Sequence, residues 1–430
     1  MTPIPLIKPG FSTQVPNLPP FGGPVRVTTY EIGDAEFTGT TYELTLEQPL
    51  SPDYFVVIVG STGQDGQQPH QGGMRLATDP FGTGELGTSS GATKLGFAVA
   101  TATPTEGWVG AVTVVECTAD QDTRGFRLRD VIVTSVPAAT SSPEAVNDTV
   151  DNPWTTLGQV VPFGGLRGAG CTTTSTSADD WLSLAATTEV SGTDTLTITR
   201  SGPLVPLNLE AATFVTAIVE WGSDWDVQSV TVSGTAGGDG ADATGEYNTG
   251  SISSVARDNT WVWPTVRTVG CVGIGCAAAD LVQAFPSVLV TLGDGVNQNA
   301  SESSVAVGKE ITTSRTVVAY VMENPGLAVD YKFKTDGDSG VQDLDITVDG
   351  AGGTEAYDEV SEPRVTAGAR LGLVTNGAQG TTGTDRFHWG RALWWARHEA
   401  DTTLAIRRAP LNADTVTFPA WIQSVDFSGV

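Results

Sequence analysis

The stretch TFVTAIVEWG at residues 213–222 decides the fold. It is a short β-branched run, and two others share its character at domain-sized distances: YFVVIVG at 54–60 and RTVVAYVMEN at 315–324. Each is followed some tens of residues later by a Trp-led segment, Trp108 in WVGAVTVVEC, Trp261 in WVWPTVRTVGC and Trp389 in WGRALWWARHE. Self-similarity on this scale predicts related β units built in series rather than one large sheet.

Composition agrees. Gly at 51 and Pro at 24, with abundant Thr and Val, favour strands and tight turns over helices. A chain of 430 residues is long enough for several cores, and 39% hydrophobic content fits a globular protein. The net charge of −27, from 49 acidic against 22 basic residues, repels a phosphate backbone and argues against nucleic acid as a partner. No apolar run is long enough to span a bilayer. The first residues, MTPIPLIKPGFSTQVPNLPPFGG, place prolines where a signal peptide needs an unbroken apolar segment, so synthesis in a host cytoplasm without a leader is expected.

In chain order, the six prolines of residues 1–20, Pro3, Pro5 and Pro9 among them, block both helix and central strand and predict an arm held by its own domains or by a neighbouring subunit. Short strand signals bounded by Gly, Pro or Asp then fill residues 21–136 at sandwich spacing. Residues 137–161, rich in Pro, Ser, Thr and Asn, read as a linker with Trp154 packed on a neighbouring domain. The motif PFGG of 20–23 recurs at 162–165 and opens a second strand series to 295, and a third fills 296–430. Residues 386–400 fit a helix by periodicity, but their place in the repeat predicts a strand. The expected fold is all-β: three tandem antiparallel β-sandwich domains, jelly-roll or Ig-like, behind a proline-rich N-terminal arm.

Candidate chemistry is sparse. His70, His388 and His398 have no metal-ligand spacing. Cys117, Cys171, Cys271 and Cys276 are too few for a disulfide scaffold, and only the last two, bracketing VGIG, are placed to close a small loop. Residues 82–87 match G-x-G-x-x-G by letters, yet no strand precedes them and no helix follows, so the dinucleotide reading fails. Asp336, Asp338, Asp343 and Asp345 surround a Gly-rich turn and are candidate calcium ligands, as are Asp239 and Asp242 in the comparable turn before it, against the plainer reading of hairpin turn chemistry. No cofactor and no catalytic residue is otherwise indicated.

Partner candidates are clearer. Of the eleven Trp, Trp221 and Trp225 are the first to test for exposure, as sugar platforms or protein anchors, against core packing as the alternative. Arg386, Arg391 and Arg397, with Arg407 and Arg408, concentrate positive charge in an acidic chain. They serve either intramolecular pairing or docking of an acidic neighbour, including another copy.

A chain with these features, acidic, rich in Gly, Thr and Val, with a proline-rich arm and a repeat of EWGS (220–223), a VTVSG-type strand and a Trp-led strand, resembles the virion structural proteins of tailed viruses. The resemblance covers about residues 21–430 and implies a non-enzymatic surface component: a capsid decoration, head fibre, or tail or baseplate appendage. It implies docking through the arm, other virion proteins and copies of itself as partners, and a homo-oligomer, a trimer above others. The alternative is a glycan-binding adhesin or receptor-binding protein that uses exposed Trp.

Overall fold

The computed structural model describes residues 23–32, 40–62, 73–81, 86–87, 91–99, 108–138, 144–173, 184–200, 209–234, 247–268, 288–295, 297–308, 315–336, 343–347, 365–376, 394–400, 403–408 and 418–430. Among them are twenty-six strands, numbered below along the chain, and no α-helix. Every strand pair is antiparallel.

The opening stretch forms β13 (Ala212–Trp221). It pairs along its length with β7 (Phe126–Val136) on one side, and on the other with β10 (Cys171–Thr173) and β9 (Val160–Phe163). Both faces of β13 are buried. Phe214 and Ile218 enter one core, while Ala217, Val219 and Trp221 enter another. Alternate side chains of a strand point to opposite faces, so a strand covered on both sides reads as a continuous apolar run. The β7 ladder steps from Asp130 to Leu128 between Ile218 and Val219, leaving Arg129 as the extra residue of a bulge.

One four-stranded sheet has the order β22 (Val365–Gly368), β1 (Val25–Ile32), β6 (Trp108–Cys117), β3 (Asp53–Thr62). It faces a three-stranded sheet of β2 (Thr41–Thr45), β5 (Lys94–Val99) and β4 (Met74–Leu76). Tyr54, Val56 and Ile58 of β3 pack in this sandwich with Leu95 and Phe97, whereas Phe55 and Val57 point the other way into the central core.

A six-stranded sheet runs β14 (Asp226–Gly234), β19 (Arg315–Glu323), β16 (Thr260–Thr268), β11 (Ala186–Ser191), β12 (Thr195–Arg200), β8 (Glu144–Thr149). Three smaller sheets complete the body: β15 (Tyr247–Ala256), β18 (Ser301–Gly308), β17 (Leu289–Leu292); β20 (Ala328–Asp336), β26 (Phe418–Asp426), β23 (Arg370–Asn376); and β21 (Asp343–Thr347), β25 (Thr403–Arg408), β24 (Trp394–Ala400).

The pairings cross the boundaries drawn from the repeat. β22, from residues above 295, hydrogen-bonds to β1; β7 pairs with β13 across residues 137–161; and β19 sits between β14 and β16. The expected linker itself holds one whole strand, β8, and the first two residues of β9. β8 was read as linker for a physical reason: it is an edge strand with a wet face, on which Ala145, Asn147 and Thr149 are exposed. Residues 394–400 form a strand, as their place in the repeat indicates.

Candidate functional site

The largest core holds an aromatic nexus where strands from all three expected units converge. Phe55 stacks on Phe163 at a centroid distance of 3.9 Å, Phe126 meets Trp221 edge-on at 5.0 Å, and Trp225 lies 4.2 Å from Trp221. Trp261 meets both Trp221 and Phe427 nearly at right angles, 80° and 84°. The indole N–H of Trp225 donates to the Arg124 carbonyl at 2.7 Å, while those of Trp221, Trp261 and Trp263 find no conventional acceptor among the described residues. Edge-to-face packing presents the positive ring edge to a neighbour's π cloud, which partly compensates those buried donors.

Trp221 and Trp225 are 1% and 4% exposed, so of the two readings open to them, exposed platform or core packing, the structure has core packing. Of the eleven Trp, the described side chains of Trp154, Trp221, Trp225, Trp261, Trp263, Trp395 and Trp421 are all at most 7% exposed. The EWG strand is covered on both faces, so alternation moves a ring from one core to another and never to water.

Around the nexus, polar side chains tie the sheets together. Glu220 is 5% exposed and accepts from the Thr155 N–H (2.9 Å), the Thr155 hydroxyl (2.7 Å), the Thr156 N–H (3.0 Å) and the Arg129 guanidinium (Nε at 2.6 Å). Arg129 reaches it because the bulge turns that residue out of the ladder. Desolvation alone would raise the Glu220 pKa, but the donations from Thr155, Arg129 and Thr156 outweigh it and hold the carboxyl below its ordinary value. Glu116 plays the same part on β6, bonded to Arg26 and to the Ser51 N–H.

Links also span distant parts of the chain. Gln423 exchanges two bonds with the Val262 backbone, accepting at 2.8 Å and donating at 3.0 Å, so its amide extends the β16 ladder sideways. The Thr375 hydroxyl engages both the N–H and the carbonyl of Val290. Arg257 lies 3.4 Å from Glu302 and stands over the Tyr331 ring at 4.5 Å. Arg397, a docking candidate from sequence, is 3% exposed and pairs with Glu31 at 3.2 Å; the indole of Trp395 donates to the other oxygen of the same carboxylate. Its use is intramolecular, and its charge is not presented to a partner.

Of the other sequence candidates, Pro3, Pro5, Pro9, Arg386, Arg391, Asp338, Asp239, Asp242, Cys271 and Cys276 lie outside the described residues. Asp336 ends β20 opposite Phe418, and β21 sets Asp343 opposite Arg407 and Asp345 opposite Ala405. Among the described residues no group of three or more His, Cys, Asp or Glu is placed to hold a metal ion. Cys117 and Cys171 are buried free thiols, and burial pushes both upward in pKa, so neither is primed as a nucleophile.

Among the described residues, the Ser424 hydroxyl and His398 Nε2 lie 3.2 Å apart, a spacing that a nucleophile and its base would need. At 2% and 7% exposure they are enclosed between the β26 and β24 sheets, and the bond fastens one sheet to the other. Sequence reading missed Glu220, Glu31 and Gln423 as organising residues. The signal for Glu220 was present, a carboxylate inside an apolar strand run, because a charge is buried only where partners await it. No protein-family model, no curated protein and no solved structure matches the chain.

Proposed function

We propose that the chain is a non-enzymatic structural protein on the surface of a tailed-virus particle, a capsid decoration, head fibre, or tail or baseplate appendage. In this reading the repeats are three related sandwich units, and residues 1–20 are an arm that docks on a neighbouring subunit. The observation that carries the reading is where the buried polar groups are used. Glu31, Glu220, Arg397, Gln423 and Thr375 are all spent joining strands far apart in the chain. Such cross-links build a body that resists shear between units, which a particle component needs and which a recognition site does not supply. The adhesin alternative loses support, since the described indoles that would stack on sugar are interior.

Partners are then other particle proteins and copies of the chain, with a trimer as the favoured state because symmetry reinforces an exchanged arm. Removing residues 2–20 tests this. The shortened chain is expected to remain a soluble, folded β-protein that no longer enters particles; normal incorporation would refute arm-mediated docking.

A further inference from the structure

The six-stranded sheet ends on β8, and that edge is bare. The Val150 N–H donates to the Asp194 carbonyl at 2.7 Å, one step beyond the pairing of Thr149 with Thr195. Bonded and non-bonded pairs alternate along an antiparallel ladder, so Val146 and Asp148 are the residues of β8 that bond to β12. The N–H and C=O groups of Ala145, Asn147 and Thr149 therefore face away from the sheet. Among the described residues these groups bond to nothing, and all three residues are exposed.

Other edges of the body are tied off within the chain. On β3 the Ile58 N–H reaches the Gly168 carbonyl at 3.2 Å, and on β7 the Leu128 N–H reaches the Asp53 carboxylate at 2.9 Å. On β17 the Thr375 hydroxyl serves both backbone groups of Val290. An open edge is otherwise guarded by Lys, Pro or a bulge, because it is a template for pairing with another chain. The sequence of β8, EAVNDT, has no Lys and no Pro, and its register with β12 is unbroken. The inward acid Asp148 accepts from the Thr134 hydroxyl, so its charge is held within its own chain.

The occupant that fits this edge is β8 of a second copy. A two-fold axis normal to the sheet pairs the two strands antiparallel with like faces together, so a residue meets only residues an even number of places away. Centring on Val146 would set Glu144 opposite Asp148, two like charges. Centring on Asn147 sets Val146 opposite Asp148 and Ala145 opposite Thr149, and no acid faces an acid. In that register the bare groups meet one another: Ala145 with Thr149 and Asn147 with its counterpart, each pair exchanging two bonds. We propose that two copies of the chain associate through β8, antiparallel and centred on Asn147, joining their six-stranded sheets into one. The contact is read in purified protein, so its failure leaves the particle reading standing, and absence of the chain from particles leaves the contact standing.

Cysteine cross-linking of the full chain reads the register. Residues of a bonded antiparallel pair have Cα atoms about 5.5 Å apart, within disulfide reach, whereas Thr149 and its counterpart would stand four residues apart along the strand, about 13 Å. The work is done at about 0.15 M salt, where the repulsion between two chains of charge −27 is screened beyond about 8 Å. Oxidation with diamide is expected to give a disulfide-linked dimer from Asn147→Cys, and none from Thr149→Cys or the unaltered chain. No dimer from Asn147→Cys, or equal yields from the two variants, overturns the proposal. Sedimentation tests it without added cysteine. Asn147→Pro removes an outward N–H and no bond to β12, so the fold is kept. At concentrations up to about 1 mM, the unaltered chain is expected to show a species of twice the mass of its basic unit that this variant lacks. Identical distributions for the two would count against β8.

Discussion

Replacing Glu220 by Gln tests whether the buried carboxylates hold the body together. The substitution preserves shape and removes the charge. The wild-type carboxylate takes five hydrogen bonds from four donor groups, two of them from the Arg129 guanidinium. An amide has one acceptor oxygen, so its NH2 faces a guanidinium or a backbone N–H that cannot accept. Charge-assisted bonds contribute about 1.5–3 kcal/mol each in isolation, and breaking a buried pair costs about 3–5 kcal/mol. Arg129 keeps 24% of its side chain exposed, so water recovers part of the loss. The expected cost is about 2–4 kcal/mol. At about 2.1 cal/mol/K per residue, unfolding entropy for this length makes each kcal/mol worth about 1 °C, so Tm should fall by about 2–4 °C. Urea unfolding followed by Trp fluorescence is the assay, because the adjacent Trp221 sits in the nexus.

The pH dependence supplies a second reading from the same variant. Glu220 is depressed in the folded protein, so the unfolded chain takes up its proton more readily. Its stabilisation is therefore fully present above the ordinary 4.5 of a Glu side chain and is lost as pH falls through the lower folded value. Wild type should lose more stability on acidification below pH 4.5 than Glu220→Gln does. A variant within about 0.5 kcal/mol of wild type at pH 7, with parallel acid profiles, would refute the reasoning.

Three further outcomes are expected. Trp221→Ala should cost about 3–5 kcal/mol and leave any glycan binding unchanged; a sugar titration that weakens without a loss of stability would return Trp221 to the surface. Gly222→Ala should destabilise by at least about 1 kcal/mol, because its Cβ would lie 2.2 Å from the Thr123 carbonyl oxygen; near-neutral urea curves would contradict that approach. A double-mutant cycle of Glu31→Gln and Arg397→Gln should give a coupling of about 1–3 kcal/mol, and additive effects would place the pair outside the sheet contact.

The all-β character was legible from turn residues and β-branched runs, and TFVTAIVEWG read correctly as a core strand because burial on both faces leaves an unbroken apolar signature. β8 was not legible, since an edge strand with a wet face carries the Asn, Asp and Thr of a linker. Repeats carry no information about which strands pair between units: β1 pairs with β22 and β7 with β13 across long intervals of sequence. For Trp221 the choice between exposed platform and core packing stayed open in the sequence, because periodicity gives only the side of a strand, not what covers that side. Arg397 illustrates the same limit for charge. Its sequence neighbours suggested a surface patch, and only the fold brings Glu31 to it from more than 360 residues away.

Quantitative mass spectrometry of purified particles, from cultures that produce the chain, tests the proposed function most directly. A structural role predicts the chain in fixed, multiple copies per particle through density-gradient purification and high-salt washing. Its abundance in the lysate combined with absence from washed particles would contradict that role.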